Sequence, residues 1–159
     1  MQGNTSFVQG NEYLNKKEII VPDEKSFPTI QPQYVMFALH QTGGTDDLKD
    51  ANIGEAVSLT GNFEIGRSMQ NSIIIGKLVA LTLDDLHNGQ RLATVQVAGI
   101  CTFRVSDEPN LRPSVGDRII GGQPGKIKQS VAERVWPGGT LGRGTVIDVN
   151  GNECKVILN

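Results

Sequence analysis

The sequence predicts an all-β fold, a compact antiparallel β-barrel or sandwich preceded by a long, extended N-terminal arm. Apolar residues alternate with other residues from Ala93 to Val105, the period of two that a half-buried strand requires. The chain of 159 residues holds 19 glycines, spread between short apolar runs, which indicates many turns. Residues 1–52 show no sustained period and contain prolines that favour extended backbone. We therefore expect an arm over 1–52, with one or two short strands, and a barrel over 53–159.

The alternating run gives the most detailed prediction. Gly99 interrupts it, which predicts a bend or bulge where a long strand curls around a barrel or crosses between sheets. Cys101 has the parity of Val97 and Phe103 in this run. Cys154 has the parity of the apolar residues in the last predicted strand, so we expect both cysteines to be buried, reduced and without a functional role.

One pattern occurs twice after residue 53. Each copy begins with an apolar residue, glycine and an acid, at 53–57 and 115–119. Each continues to a glycine before an apolar run, at 76–81 and 144–149, and then turns on a glycine into a last strand, at 92–97 and 154–158. The pattern holds no clustered acid, base, nucleophile or ligand set and so predicts a scaffold.

Other segments give shorter predictions. Residues 73–83 are apolar on both faces, which predicts a strand near the centre of the fold. The pair Asn150-Gly151 predicts a tight hairpin before the last strand. Residues 18–21 and 34–39 are strand candidates within the arm, and the second either belongs to an assembly arm or adds a strand to the same barrel.

Charge and composition exclude several classes of function. The net charge is −2, which argues against non-specific nucleic-acid binding because such binding requires a basic face. The sequence lacks a run of about 18 apolar residues and a signal-peptide pattern. We therefore expect a soluble protein that is assembled without export, with no membrane partner.

Catalytic and metal sites are not predicted. The glycine-rich segment 138–144 precedes a strand-like run rather than a helix, and it lacks the Gly-Lys-Ser/Thr ending of a phosphate-binding loop. The two histidines, His40 and His87, lie far apart in the sequence, and the acidic pairs do not have the alternate spacing of calcium ligands. We expect no enzyme activity, no cofactor and no metal, although a perturbed histidine beside a carboxylate in a polar pocket would favour an enzyme.

Large aromatic side chains are the candidates for contact with a partner. The arm has many of them but no evident core of its own, so it either folds back on the barrel or docks on another protein. A tryptophan followed by Pro-Gly-Gly is either a local core plug or an exposed anchor. The candidate interface residues are Phe7, Tyr13, Phe27, Tyr34, Phe37 and Trp136.

Four segments after residue 53 carry a resemblance to a known family: Val115-Gly116-Asp117-Arg118-Ile119, Gly125-Lys126-Ile127-Lys128, residues 142–147 with the closing 154–158, and Gly61-Asn62-Phe63-Glu64-Ile65. Through these segments, residues 53–159 resemble the capsid decoration, or cement, proteins of tailed bacteriophages. The long N-terminal segment and the insertion at 129–138 depart from the family pattern.

The resemblance implies a function outside catalysis. It implies a compact β-barrel, often a homotrimer, that binds the outer surface of an assembled icosahedral head in the virion and stabilises contacts between major capsid protein subunits. Such a protein is made in the host cytoplasm. The alternatives are a β-barrel module that binds sugar, peptide or single-stranded nucleic acid, and a small enzyme. The acidic balance and sparse aromatics argue against nucleic acid as a direct partner.

Overall fold

A computed structural model describes residues 30–84, 90–131 and 142–159. Residues 31–159 form one compact unit, and its regular structure is almost entirely β. The strands are β1 (Gln33–Leu39), β2 (Gln41–Thr42), β3 (Thr45–Asp46), β4 (Ala56–Gly61), β5 (Glu64–Arg67), β6 (Gly76–Asp84), β7 (Gln90–Arg104), β8 (Ile119–Gly121), β9 (Ile127–Gln129), β10 (Thr145–Asn150) and β11 (Glu153–Leu158). A single-turn 3-10 helix spans Asp50–Asn52.

The first barrel consists of β1, β5, β4, β6 and the N-terminal half of β7, in that order around the ring. It closes because β1 pairs with β5 in parallel and with β7 in antiparallel orientation. The inward side chains form one core cluster: Phe37, Leu39, Leu48, Val57, Ile65, Leu78, Ala93 and Val95. The predicted all-β barrel is therefore confirmed.

Strand β7 continues beyond the first barrel. Ala98 is its last residue paired with β1, and Gly99 is the residue opposite Leu158 at the end of β11. Gly99 has φ of +98°, a conformation that a side chain disfavours, and a Cβ there would meet Pro32 Cα at 3.0 Å. The predicted bend at Gly99 is thus the point at which β7 changes partner strands.

The second barrel uses the C-terminal half of β7 with β8, β9, β10 and β11. Antiparallel pairing joins β7 to β11, β11 to β10, and β8 to β9. Two isolated bridges complete the ring: Ile119 with Arg143, just before β10, and Val105 with Ile127 in parallel. The inward residues form a separate core cluster: Ala56, Ile74, Cys101, Phe103, Val105, Ile119, Ile127, Val146, Cys154, Val156 and Leu158.

The same backbone hydrogen bonds occur within each barrel, at equivalent positions. Gly54 N–H donates to the Leu78 carbonyl at 2.8 Å, and Gly116 N–H donates to the Val146 carbonyl at 2.8 Å. The two glycines have φ of +95° and +94°. The return bonds, from Leu78 N–H to Glu55 and from Val146 N–H to Asp117, are both 2.9 Å long.

The equivalence extends across the rest of each ring. A bulge follows Leu78 in the β6–β7 ladder and follows Val146 in the β10–β11 ladder. Phe37 lies opposite Ala93 in the first barrel, as Phe103 lies opposite Cys154 in the second. The repeated unit therefore begins with β1 in one barrel and with the C-terminal half of β7 in the other, so β7 belongs to both.

Several sequence expectations are corrected. Residues 34–39 lie in β1 and add a strand to the first barrel, so the boundary between arm and barrel falls near residue 30 and not at residue 52. The predicted strand over 73–83 begins at Gly76 and lies between β4 and β7 as expected. However, Val79 is 38% exposed and Leu83, near the end of β6, is 65% exposed, so the strand is not buried on both faces. The Asn150-Gly151 hairpin joins β10 and β11 as predicted.

Candidate interaction surface

The β4–β5 connection of the first barrel presents apolar side chains to solvent. We define residues 59–64 as the first tip. Leu59 is 54% exposed and Phe63 is 78% exposed. Phe63 has φ of +53°, in the left-handed region that non-glycine residues rarely adopt. An exposed aromatic residue held in a strained conformation is typical of a binding site rather than of a loop chosen for stability.

The equivalent connection in the second barrel, residues 121–126, is covered. We define it as the second tip. Gly121 N–H donates to the Ser72 carbonyl at 2.9 Å, and the Gly121 carbonyl accepts from Asn71 N–H at 2.9 Å. Gly125 N–H donates to the Ser68 carbonyl, also at 2.9 Å. The segment of the first barrel that follows β5 thus pairs with the second tip.

Side chains from the first barrel also enter the second. Ala56 and Ile74 belong to the first barrel by sequence but pack in the core of the second, and both are fully buried. Arg143 connects the barrels in the opposite direction: its guanidinium donates to the carbonyls of Ile75 and Val97, the second at 2.6 Å. Burial lowers the pKa of Arg143. This contact of one barrel with the other is an interface within the chain.

A polar network surrounds the same junction. Lys128, with a side chain only 6% exposed, pairs with Glu108 at 3.3 Å. Gln70 of the first barrel donates to Glu108 at 3.0 Å, and Ser106 donates to it at 3.2 Å. The Gln70 hydrogen bond is the main reason that the pKa of Glu108 lies below its usual value. All these groups satisfy one another, so the network stabilises the junction.

The outer face of β1 is a second exposed apolar surface. Tyr34 is 53% exposed and Met36 is 62% exposed, and both side chains point away from the barrel. Phe37, which lies next to them, points inward and is 7% exposed. The expectation that Phe37 contacts a partner is thus corrected: strand alternation places it in the core. Tyr34 remains an accessible candidate.

The other candidate interface residues lie outside the described residues: Phe7, Tyr13, Phe27 and Trp136. The strand candidate at 18–21, the turn containing His87 and most of the insertion at 129–138 lie outside them as well. Sequence reasoning missed the exposure of Leu59, Phe63 and Met36. The exposure of Phe63 could have been predicted from its position directly after Gly61-Asn62, where a turn residue is more usual.

His40 lies beside two carboxylates, an arrangement that would favour an enzyme. Its Nδ1 lies 2.5 Å from Glu64 Oε1, and its Nε2 lies 3.6 Å from Asp47 Oδ2. The hydrogen bond to Glu64 is the largest influence and raises the pKa of His40 above its ordinary 6.5. Thr60 donates its hydroxyl hydrogen to the same Glu64 oxygen at 3.2 Å. Both ring nitrogens face carboxylates, so the imidazole has no nitrogen directed at a nucleophile, and the side chain is 39% exposed.

The two cysteines are free and buried, as expected from their strand parity. Cys101 is 1% exposed and Cys154 is 2% exposed. Burial raises the pKa of each thiol to about 11, so the reactive thiolate is scarce at neutral pH.

A polar cleft of about 260 Å³ lies beside the end of β7. Two of its charged groups form an ion pair, Lys126 Nζ with Asp107 Oδ2 at 2.9 Å. The lining residues are Arg104, Val105, Asp107, Lys126, Asn152 and Glu153. Among the residues that the structure describes, no group of three or more metal-ligating side chains comes together.

The comparisons with known proteins give no relative. No protein-family model, no curated protein and no solved structure matches the chain. Within the described ranges, no helix is long and apolar enough to cross a membrane.

Proposed function

We propose that this protein is a structural virion protein that binds the outer surface of an assembled icosahedral phage head. In this role it stabilises contacts between major capsid protein subunits and acts as a homotrimer. It performs no catalysis and requires no cofactor. The sequence resemblance to capsid decoration proteins motivates the proposal.

The observation that carries the proposal is the placement of exposed apolar side chains on a strand of the closed barrel. Tyr34 and Met36 project from the part of β1 that pairs with β7, and they are 53% and 62% exposed. Exposed aromatic and methionine side chains are enriched where proteins contact other proteins. Three ionisable groups near the barrel ends, those of His40, Glu108 and Lys126, are each engaged in an ion pair within the chain, which is in keeping with a non-catalytic role.

The N-terminal arm has a place in this proposal. Because β1 belongs to the barrel, the assembly arm is confined to residues 1–29, which directly precede the exposed face of β1. Multiple copies on a symmetric shell gain avidity when each copy is held at more than one contact.

The polar cleft is the observation that favours a second function. Its volume of about 260 Å³ is close to the lower end of small-molecule sites, and its cations and carboxylates suit a zwitterionic or sugar ligand. A ligand-binding module is therefore the alternative. It predicts saturable binding in the cleft that Lys126→Ala abolishes, measured by calorimetry against small sugars and peptides.

Binding to expanded, empty phage heads tests the main proposal. Full-length protein is incubated with heads from a tailed phage and sedimented, and the pellets are imaged by electron microscopy. We expect added density on the outer surface. The double variant Tyr34→Thr with Met36→Thr should weaken binding by at least about 30-fold, as expected for loss of an aromatic hot spot.

The matched control is Ile100→Thr. Ile100 is 45% exposed and occupies the position in the second barrel that is equivalent to Tyr34, so it reports on the general effect of removing a surface apolar group. We expect it to bind like the wild type. Protein that stays in the supernatant with heads of every phage tested would refute the proposal. If a chain lacking residues 1–29 stays folded and binds heads as tightly as the full chain, the arm has no part in head binding.

A further inference from the structure

Strand β1 has one edge that is paired along only part of its length. On one side, β7 pairs with β1 from Gln33 to Ala38. On the other side, β5 pairs with β1 only at Ala38 and Leu39. Within the described ranges, no strand lies beside the earlier part of this second side. We define residues 33–37, on the side of β1 away from β7, as the open edge.

Two residues direct their backbone groups toward the open edge. Ala38 N–H donates to the Phe63 carbonyl at 2.9 Å, so Ala38 directs its N–H to the β5 side of the strand. Successive residues of a strand direct their hydrogen-bonding groups to opposite sides. Tyr34 and Met36 therefore present two N–H and two C=O groups to the open edge.

The side chains along the open edge are apolar and accessible on both faces of the strand. Tyr34 is 53% exposed, Val35 is 38% exposed and Met36 is 62% exposed. An unpaired apolar edge is a template for the addition of a strand, and soluble proteins commonly protect such an edge with charged residues or cover it. Residues 33–37 include no charged residue, which favours coverage by another strand.

The N-terminal arm contains a segment that suits this edge. Glu18-Ile19-Ile20-Val21 is a strand candidate by sequence, and Pro22 ends it. Four residues in a strand direct the backbone groups of two residues to one side, which matches the two residues that face the open edge. The segment lies within residues 1–29, which precede the described part of the chain.

The start of β1 argues for a partner in another molecule. A Cβ at Gly99 of β7 would lie 3.0 Å from Pro32 Cα, so the chain lies against β7 just before β1 begins. The open edge is on the opposite side of β1. The connection from the strand candidate to β1, residues 22–32, spans about 36 Å when extended, which is enough to reach a neighbouring molecule.

We propose that residues 18–21 of one protein molecule add a strand to the open edge of β1 in another molecule of the same protein. The arm and the edge are different surfaces, so the contact is heterologous, and it closes into a ring when each molecule gives one arm and receives another. Three such contacts make the proposed homotrimer. The proposal deepens the self-association in the proposed function, rests on that part of it and does not require head binding.

Backbone hydrogen bonds give this contact its affinity, and side chains add to it. The added strand forms up to four hydrogen bonds with the backbone groups of Tyr34 and Met36. Ile19 and Ile20 point to opposite faces of the added strand, so one packs beside Tyr34 and Met36 and the other packs beside Val35. The contact therefore covers the apolar side chains on both faces of the open edge.

A proline at position 34 tests the role of the edge. Tyr34→Pro removes an N–H that faces the open edge, and a strand tolerates proline where its nitrogen faces away from the paired strand. Tyr34→Thr is the matched control, because it also removes the aromatic ring but keeps the N–H. Sedimentation velocity over a range of concentrations should show wild-type oligomers larger than the 17.2 kDa chain. Tyr34→Pro should associate at least about tenfold more weakly than Tyr34→Thr.

A second proline tests the role of the arm. Ile20→Pro removes a backbone N–H from the strand candidate, whereas Ile20→Val keeps the N–H and a β-branched side chain. We expect Ile20→Pro to weaken self-association by at least about tenfold and Ile20→Val to associate like the wild type. Circular dichroism of each variant checks that its barrels are folded.

Photo-cross-linking identifies the segment that lies on the edge and does not depend on the proline variants. The full chain is made with p-benzoylphenylalanine in place of Tyr34, and equal amounts of ¹⁵N-labelled and unlabelled protein are mixed and irradiated. Mass spectrometry should find cross-links from position 34 to residues 18–21 that join a labelled peptide to an unlabelled one.

Several results would overturn the proposal. Cross-links to residues 18–21 that never mix the labels would place the segment on its own molecule. Mixed-label cross-links that reach only other segments, such as β1 itself, would give the edge a different partner. A wild type that is monomeric at every concentration, or folded proline variants that associate as their controls do, would also contradict it. A wild type that assembles as expected but ignores phage heads would refute only the proposed function.

Discussion

The first and second barrels repeat the same backbone hydrogen bonds but differ at their ends. Gly54 with Leu78 and Gly116 with Val146 form matching bonds of 2.8 Å inside the two rings. At the tips, by contrast, exposed Phe63 occupies the position of buried Gly125. The difference shows that the ring is constrained by its own closure, whereas the residues at the tips differ with whether another part of the chain covers the tip.

At the junction between the barrels, too, the backbone is common to both barrels while the side chains differ. Ile75 in the first barrel corresponds to Arg143 in the second, because Ile75 N–H donates to Val57 and Arg143 N–H donates to Ile119. Only Arg143 reaches across to the other barrel, where it binds the Ile75 carbonyl. A backbone position shared by both barrels therefore carries a side chain specific to one contact.

The largest effect is expected from two equivalent glycines. A Cβ at Gly76 would lie 2.2 Å from the Gln96 carbonyl oxygen, and one at Gly144 would lie 2.8 Å from the Ile157 carbonyl oxygen. Gly76→Ala and Gly144→Ala should each lower the free energy of unfolding by at least about 2 kcal/mol, because a backbone atom of the adjacent strand must move. Urea denaturation followed by circular dichroism measures both.

Gly61→Ala is the control for this pair. A Cβ there meets nothing closer than Glu64 at 3.5 Å, so the change should stay within about 0.5 kcal/mol. If Gly76→Ala is harmful while Gly144→Ala is as mild as the control, the two positions are not equivalent and the comparison of the barrels fails.

A smaller effect is expected at the cysteines. Cys154 is equivalent to Ala93, since each lies opposite the inward phenylalanine of its own barrel, Phe103 or Phe37. Cys154→Ala and Cys101→Ala should each lower the free energy of unfolding by about 1 kcal/mol, the loss of a small buried group. Head binding should be unchanged. Fast labelling of either thiol in native protein at pH 7 would contradict the burial and the raised pKa of about 11.

The smallest effect is expected on the pH dependence of stability when His40 is replaced by serine. Serine is the residue at the equivalent position of the second barrel, Ser106, and it has no titratable group. Because the pKa of His40 is raised in the folded state, its stabilising contribution is complete below the ordinary pKa of 6.5 and is lost as the pH rises through the folded-state pKa. The wild type should therefore lose stability relative to His40→Ser as the pH rises above 6.5. Urea midpoints of both proteins across this range measure it. A difference that grows with pH would contradict the sign.

The sequence predicted the parts of the fold that follow from alternation and from glycine. Parity placed Cys101 and Cys154 in the interior, and the interruption at Gly99 marked the change of partner strands. These features are local, because a strand's two faces follow directly from residue order.

The long-range features were beyond such reasoning. Phe37 lies in the core because β1 inserts between β5 and β7, a pairing that no local pattern reveals. The exposure of Phe63 depends on which segment covers each tip, and that is decided by the contact between barrels. Both errors arose where tertiary pairing, rather than the period of the chain, determines which side chains are accessible.

Detection of individual hydrogen bonds by nuclear magnetic resonance tests most directly the claim that one barrel is used twice. Scalar couplings across hydrogen bonds join an amide nitrogen to the carbonyl carbon that accepts its proton. We predict couplings from Gly54 to Leu78 and from Leu78 to Glu55 in the first barrel. We predict matching couplings from Gly116 to Val146 and from Val146 to Asp117 in the second. Observation of the first pair without the second, in protein whose amides are otherwise assigned and protected, would contradict the duplicated ring.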